Sequence, residues 1–240
     1  MSKRGAALVR FYRLLDELQV LNGGLHRLAG AGPDGPWPRR GVVWFFEKTE
    51  TRRDSGTGPR VVRVGTHALK PELNSTLWDR LAADGSGPHR GSQFRTLVGL
   101  ALRDLMGKTE PQSWGRGVDV SAAAAERRLE TAAVVQAEAG LEAAVSMYIG
   151  QMPFLFLAVD DAPGPYSQRA LIEKNSIALL SNYARPALDA PSAHWIGRRC
   201  GREKVPQSGL WNTQHVDAAY DPSFMDAMTT CMEDMRQALE

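Results

Sequence analysis

Cysteine is almost missing from this 240-residue chain, with only Cys200 and Cys231 present. Two cysteines make neither a disulfide framework nor a zinc ligand cluster, so a reducing, cytoplasmic setting is the expectation. Long apolar runs are missing too; none approaches the roughly 20 residues that cross a bilayer. The opening "MSKRGAALVRFYRLLDELQV" has acids and arginines interrupting its apolar stripe, so it reads as an amphipathic helix rather than a signal peptide. Neither sign of charge dominates, since the formal net charge is +2, which does not by itself announce a nucleic-acid binder. There is no Gly-rich phosphate loop, nucleophile elbow or zinc signature. Lysine is scarce, found only at 3, 48, 70, 108, 174 and 204. The cations are therefore mostly arginine, which suits bidentate phosphate contacts and equally suits a genome biased toward arginine codons.

What is present is an ordinary globular composition, 43% hydrophobic and 23% charged. Leu8, Phe11, Leu15 and Leu18 recur at helical spacing, and "NGG" at 22–24 stops that helix. After a Pro/Gly-rich loop, "GVVWFFEK" at 41–48 predicts a buried strand, and "RVVRVG" at 60–65 a second strand paired with it as a hairpin. A helix capped by Asn74 or Ser75 follows, then a helix from 92 with Phe94, Val98, Leu102 and Leu105 inward. The Ala-rich stretch 121–148 reads as helix, in one piece or two. A strand over 151–161, a helix over 167–183, an irregular stretch and a last amphipathic helix complete the chain. The expected fold is α/β (α+β), a small mixed sheet built on a β-hairpin and flanked by helices. The expected division is an N-terminal helix and loop (1–37), a core (38–185) and a C-terminal extension packed on it (186–240).

Charged groups fall at the ends of these elements. Arg63 and His67 lie where the second strand exits, Arg80 on the next helix, and His89 and Arg90 in the following turn. Glu173 and Asn182 lie on and after the helix behind the third strand. A carboxylate holding a divalent cation, arginines facing a phosphate and a histidine base are what metal-assisted phosphodiester cleavage needs.

With these residues in view, the chain resembles the GIY-YIG nuclease superfamily over roughly residues 38–185. "GVV" at 41–43 stands where GIY would be, and "RVG" at 63–65 where YIG would be. Arg80 in "LWDRL" occupies the family's helix-arginine position, and Glu173 in "ALIEKNSIALL" that of its glutamate. "RVVRVGTHAL", "HRGSQFR", "IEKNSIALLSNY" and "SGLWN" are similar to strings of a bacterial group of GIY-YIG-like proteins. The resemblance implies a metal-dependent endonuclease acting on DNA, or on another nucleic acid, in restriction, defence or repair. Glu173 would bind Mg²⁺ or Mn²⁺. Arg80, with Arg63 or Arg90, would hold the scissile phosphate, and His67, with His89 as second choice, would be the base. His89, Arg90 and Arg95 would contact nucleic acid, as would Asn182 or Asn212. No membrane association is expected.

The sequence departs from the family at the two tyrosines, replaced by Val43 and Arg63. Four residues after Arg80, where many members carry His or Tyr, stands Asp84. It would add a metal ligand, repel phosphate or form an ordinary helix pair with Arg80. These departures keep open a catalytically inactive module that binds nucleic acid or a protein partner. The literal "YIG" at 148–150 has no paired strand beside it and reads as a helix terminus. Trp195, Trp211 and Tyr220, set among Arg198, Arg199, Arg202 and Lys204, suit a nucleic-acid groove or, somewhat better for the tryptophans, a segment wrapped onto the core.

Overall fold

The computed structural model describes residues 2–107, 109, 111–164 and 166–238. The chain runs α1 (Lys3–Leu21), β1 (Gly41–Thr51), β2 (Pro59–Gly65), α2 (Leu77–Ser86), α3 (Gln93–Leu105), α4 (Val120–Arg127) and α5 (Thr131–Gly150). It continues through β3 (Phe154–Ala158), α6 (Gln168–Leu180), α7 (Lys204–Ser208) and α8 (Phe224–Gln237), with 3-10 turns at His89–Gly91 and Ile196–Arg199. The last two residues of the expected C-terminal helix lie outside the described residues.

β1 is central because it is apolar on both faces; Gly41 to Glu47 are all buried. The sheet order is β2-β1-β3, and both pairings are antiparallel. The α+β class is as expected, but the sheet is not mixed. Its outer strands both neighbour β1, and β1 runs opposite to each of them.

Alternate residues of the strands face two different cores. Val42, Trp44, Val64 and Leu155 pack with Leu8, Phe11 and Leu15 of α1, Ile172 and Ile177 of α6, and Phe224 and Met228 of α8. Val43, Phe45 and Phe154 pack instead with Leu77 and Leu81 of α2, Phe94 and Val98 of α3, and Val145 and Ile149 of α5. The N- and C-terminal helices therefore complete one face of the sheet together with α6.

Local signals set the helix ends. The Ser2 hydroxyl accepts from the Gly5 N–H to open α1. α2 opens one residue later than expected, on Thr76, in a capping box with Asp79. The Ala-rich stretch breaks into α4 and α5 at Arg128, whose φ is +52°. Both sheet edges are closed by asparagine side chains. Asn22 pairs with the N–H and C=O of Phe156 at 2.9 and 3.0 Å, and Asn212 with those of Val64 at 3.1 and 2.9 Å. An amide side chain offers the same donor and acceptor as a neighbouring strand, which removes the hazard of an open edge. No described helix is long and apolar enough to cross a membrane.

Candidate active site

The hairpin register places Val43 opposite Gly65 and Phe45 opposite Arg63. The start of β1 and the end of β2 thus meet at one end of the sheet. Thr66 fastens that end: its hydroxyl donates to the Gly41 carbonyl at 2.8 Å, and its N–H donates to Glu173 Oε1 at 3.2 Å. Glu173 reaches this point from α6, half-buried, with Oε2 left without a donor among the described residues. Burial raises its pKa, while Arg63, the Thr66 N–H and Arg80 pull it back.

Arg63 is buried rather than solvated. Its guanidinium lies 4.6 Å over the Phe94 ring and donates to the Trp211 carbonyl at 3.1 Å. Burial lowers its pKa to about 10, with Arg80 pushing the same way and Asp84 and Glu173 opposing. It still carries its charge at neutral pH. Arg80 pairs with Asp84 at 3.0 Å. This is not the exposed helix pair that spacing alone suggests, because the Asp84 side chain is only 2% exposed. Asp84 also accepts from the Ser92 hydroxyl, which caps α3. Four elements thus converge here, and the charges of Arg63 and Arg80 both act on the Glu173 carboxylate. Val43, in the first tyrosine slot, is fully packed and offers no proton.

His67 follows directly. It is buried, its Nε2 lies 3.3 Å from the Arg39 carbonyl, and its Nδ1 has no partner among the described residues. Burial, then Arg169, lowers its pKa to about 4. The next residue, Ala68, has a φ of +47°, an uncommon conformation for a residue with a Cβ. Arg169 holds it there. This arginine is fully buried, pairs with Asp161, and donates to the carbonyls of His67 (2.7 Å) and Ala68 (3.4 Å). Sequence reading passed over Thr66 and Arg169. For Arg169 a signal existed, since it lies four residues before Glu173 and so shares its helix face.

The other predicted contacts are turned inward. Arg95 is fully buried, bonded to the carbonyls of Asp84 and Gly85, to Ser146 and to Glu142 at 2.6 Å. Arg90 forks onto Glu138 at 2.6 and 2.7 Å. His89 Nδ1 donates to Glu142 at 2.8 Å, and its Nε2 accepts from the Gly115 N–H. Asn182 takes bonds from Arg4 and the Leu188 N–H and closes the turn before residue 188. Asn212 closes the β2 edge. These five groups spend their bonding capacity inside the protein, because α5 and the chain termini supply partners far away in sequence. Trp195 and Trp211 are likewise buried, each donating its indole N–H to Glu47.

The Glu142 cluster makes a pH prediction. Burial opposes its ionisation, but bonds from His89 and Arg95 outweigh that and hold its pKa at about 2, against 4.5 ordinarily. A depressed carboxyl pKa stabilises the fold above the unfolded value, and that stability is lost as pH falls through the folded value. The wild type is expected to hold an advantage of about 3 kcal/mol over Glu142→Gln at neutral pH, shrinking between about pH 4.5 and pH 2. Denaturant melts of both proteins across that range measure it, and a constant difference would refute it.

The family model of the GIY-YIG domain matches residues 2–238, and the chain belongs to that family. No curated protein and no solved structure matches it. Membership points to nuclease-type chemistry.

Proposed function

We propose that this GIY-YIG protein is a metal-dependent endonuclease that hydrolyses DNA phosphodiester bonds. The observation that carries the reading is the single carboxylate of Glu173, fixed by the Thr66 N–H and flanked by Arg63 and Arg80 at one end of the sheet. A carboxylate beside two cations matches an anionic substrate that arrives with a divalent cation of its own.

The donor set suits Mg²⁺ or Mn²⁺. Among the described residues no three His, Cys, Asp or Glu side chains converge, so an all-protein cage is lacking. Mg²⁺ does not need one, since it is commonly held by one or two carboxylates, waters and substrate phosphates. Glu173 would bind it through Oε2. When bound, such a cation neutralises charge at phosphorus and acidifies water.

Arg80 and Arg63 would orient the scissile phosphate and stabilise the negative charge that grows on it. Of the three roles expected of it, Asp84 takes the helix pair with Arg80, at 3.0 Å and with its own side chain buried. His67 would be the base through Nδ1, an atom shut off from solvent in this structure that substrate binding would have to uncover. Its low pKa keeps it unprotonated throughout the neutral range, so cleavage should show no histidine step near pH 6.5. A role in restriction, defence or repair follows by analogy with the family, and the two free, buried cysteines are consistent with a cytoplasmic setting.

Val43 and Arg63 in the tyrosine slots favour a second reading, an inactive module that binds nucleic acid or a protein partner. Incubating supercoiled and single-stranded DNA with Mg²⁺ or Mn²⁺, beside an EDTA control, separates the two. Metal-dependent nicking supports the nuclease. Salt-sensitive binding without cleavage selects the module, and absence of both removes each as a nucleic-acid protein.

A further inference from the structure

Away from the β2 exit, the segment 111–117 crosses the C-terminal half of α3 and leaves a cleft of about 530 Å³. Three arginines line it: Arg103 from α3, Arg116 from the crossing segment and Arg202 from the turn before α7. None of the three is in an ion pair among the described residues. No carboxylate is among the described lining residues. The nearby acids are engaged elsewhere: Asp104 with Arg199, Glu138 with Arg90, Glu203 with Gln207. In a chain of net charge +2, three cations with no ion-pair partner among the described residues, gathered around one cleft, are a local concentration of positive potential.

The floor of this cleft is built. Trp114 lies flat on His89, with ring centroids 3.8 Å apart at 15°, and its Nε1 donates to the Thr96 carbonyl at 3.0 Å. Gly99 makes room for it, since a Cβ there would lie 2.1 Å from the indole. Arg103 ties the crossing segment down through the Pro111 carbonyl at 3.0 Å. The crossing segment is therefore fastened to α3 by Trp114 and Arg103, with guanidinium groups around the cleft. Guanidinium is the side chain that matches phosphate oxygens in a bidentate fork.

We propose that this cleft binds the phosphodiester backbone of nucleic acid, as a contact separate from the Glu173 site. It rests on the nuclease reading for the choice of a polynucleotide as ligand, but it shares no residue with the proposed catalytic set. It would take phosphates without regard to base, because its described lining places no aromatic face outward; Trp114 is only 3% exposed.

The test uses the full chain and two variants, Arg103→Gln/Arg116→Gln/Arg202→Gln and Arg116→Gln/Arg202→Gln. The second keeps the bond from Arg103 to Pro111 and guards against a folding defect in the first. Binding of labelled single-stranded and duplex oligonucleotides is measured in EDTA across a salt series. The slope of log affinity against log salt is expected to fall by about 0.7 per arginine on single strands and about 0.9 on duplex. Cleavage at saturating DNA should be unchanged. Unaltered slopes in both folded variants would overturn the proposal, as would absence of polynucleotide binding by the wild type. Inorganic phosphate or a 5′-mononucleotide seated on these arginines, with polynucleotide binding indifferent to them, would make the ligand a small anion and also overturn it. Altered slopes in a protein that never cleaves would support the cleft and refute the nuclease.

Discussion

Glu173→Gln is expected to lower metal-dependent DNA cleavage by at least about 10³-fold, about 4 kcal/mol of transition-state stabilisation, without weakening the fold. The amide keeps an oxygen for the Thr66 N–H, so the β2 exit remains fastened. What it loses is the anionic ligand. The fold should not suffer, because burial raises the pKa of Glu173 in spite of Arg63, Arg80 and the Thr66 N–H. A carboxyl whose pKa is raised on folding favours the folded state at low pH, and that contribution disappears as pH rises through the folded value. Ionising this side chain is therefore a cost to stability that glutamine does not carry, and the glutamine variant should match or exceed the wild-type melting temperature. Activity down with stability level or up is the signature of a site maintained for chemistry. Equal cleavage by the two proteins would remove Glu173 from the mechanism. A variant that loses cleavage only by unfolding would make its role structural.

The largest effect on stability is expected at Glu47, remote from the site. Its Oε1 accepts from Trp195 at 3.0 Å and Trp211 at 2.8 Å, and its Oε2 accepts from Tyr148 at 2.8 Å. This buried carboxylate on β1 thereby joins α5 and the C-terminal segment to the sheet. Burial raises its pKa although all three donors pull it down. Glu47→Leu leaves two indole N–H groups and one phenol buried without an acceptor. At about 1–3 kcal/mol for each unsatisfied group, a loss of about 4 kcal/mol is expected. Glu47→Gln keeps one acceptor oxygen and should cost less than half of that. Urea denaturation of the two variants beside the wild type decides it. A leucine variant within about 1 kcal/mol of wild type would mean the three donors find other partners.

The same cluster explains the stray "YIG" at 148–150. Tyr148 ends α5 as its sequence context indicated, yet its hydroxyl is what secures that helix end to Glu47. Helix ends and strand pairs depend on residues close in sequence, which is why the hairpin, the Ala-rich helix and the stop at Asn22 were legible from composition and spacing. Arg80 and Glu173 were singled out through the resemblance to the family, and their charges act on one another near the exit of β2.

The roles of the remaining cations were not legible. Arg90 and Arg95 look like phosphate ligands in "HRGSQFR", but their carboxylate partners, Glu138 and Glu142, lie about fifty residues on, in a helix that reads as merely polar on that face. Asn182 and Asn212 look like site residues, but they complete backbone hydrogen bonds whose partners only the folded chain brings near. A side chain's type states which bonds it can make. Whether a protein group or a ligand takes those bonds depends on contacts distant in sequence. The chain's own residues thus determined its α+β elements, its hairpin and its family. Tertiary structure alone decided which arginines, Arg90, Arg95 and Arg169 among them, are bound to carboxylates distant in sequence or buried in the core.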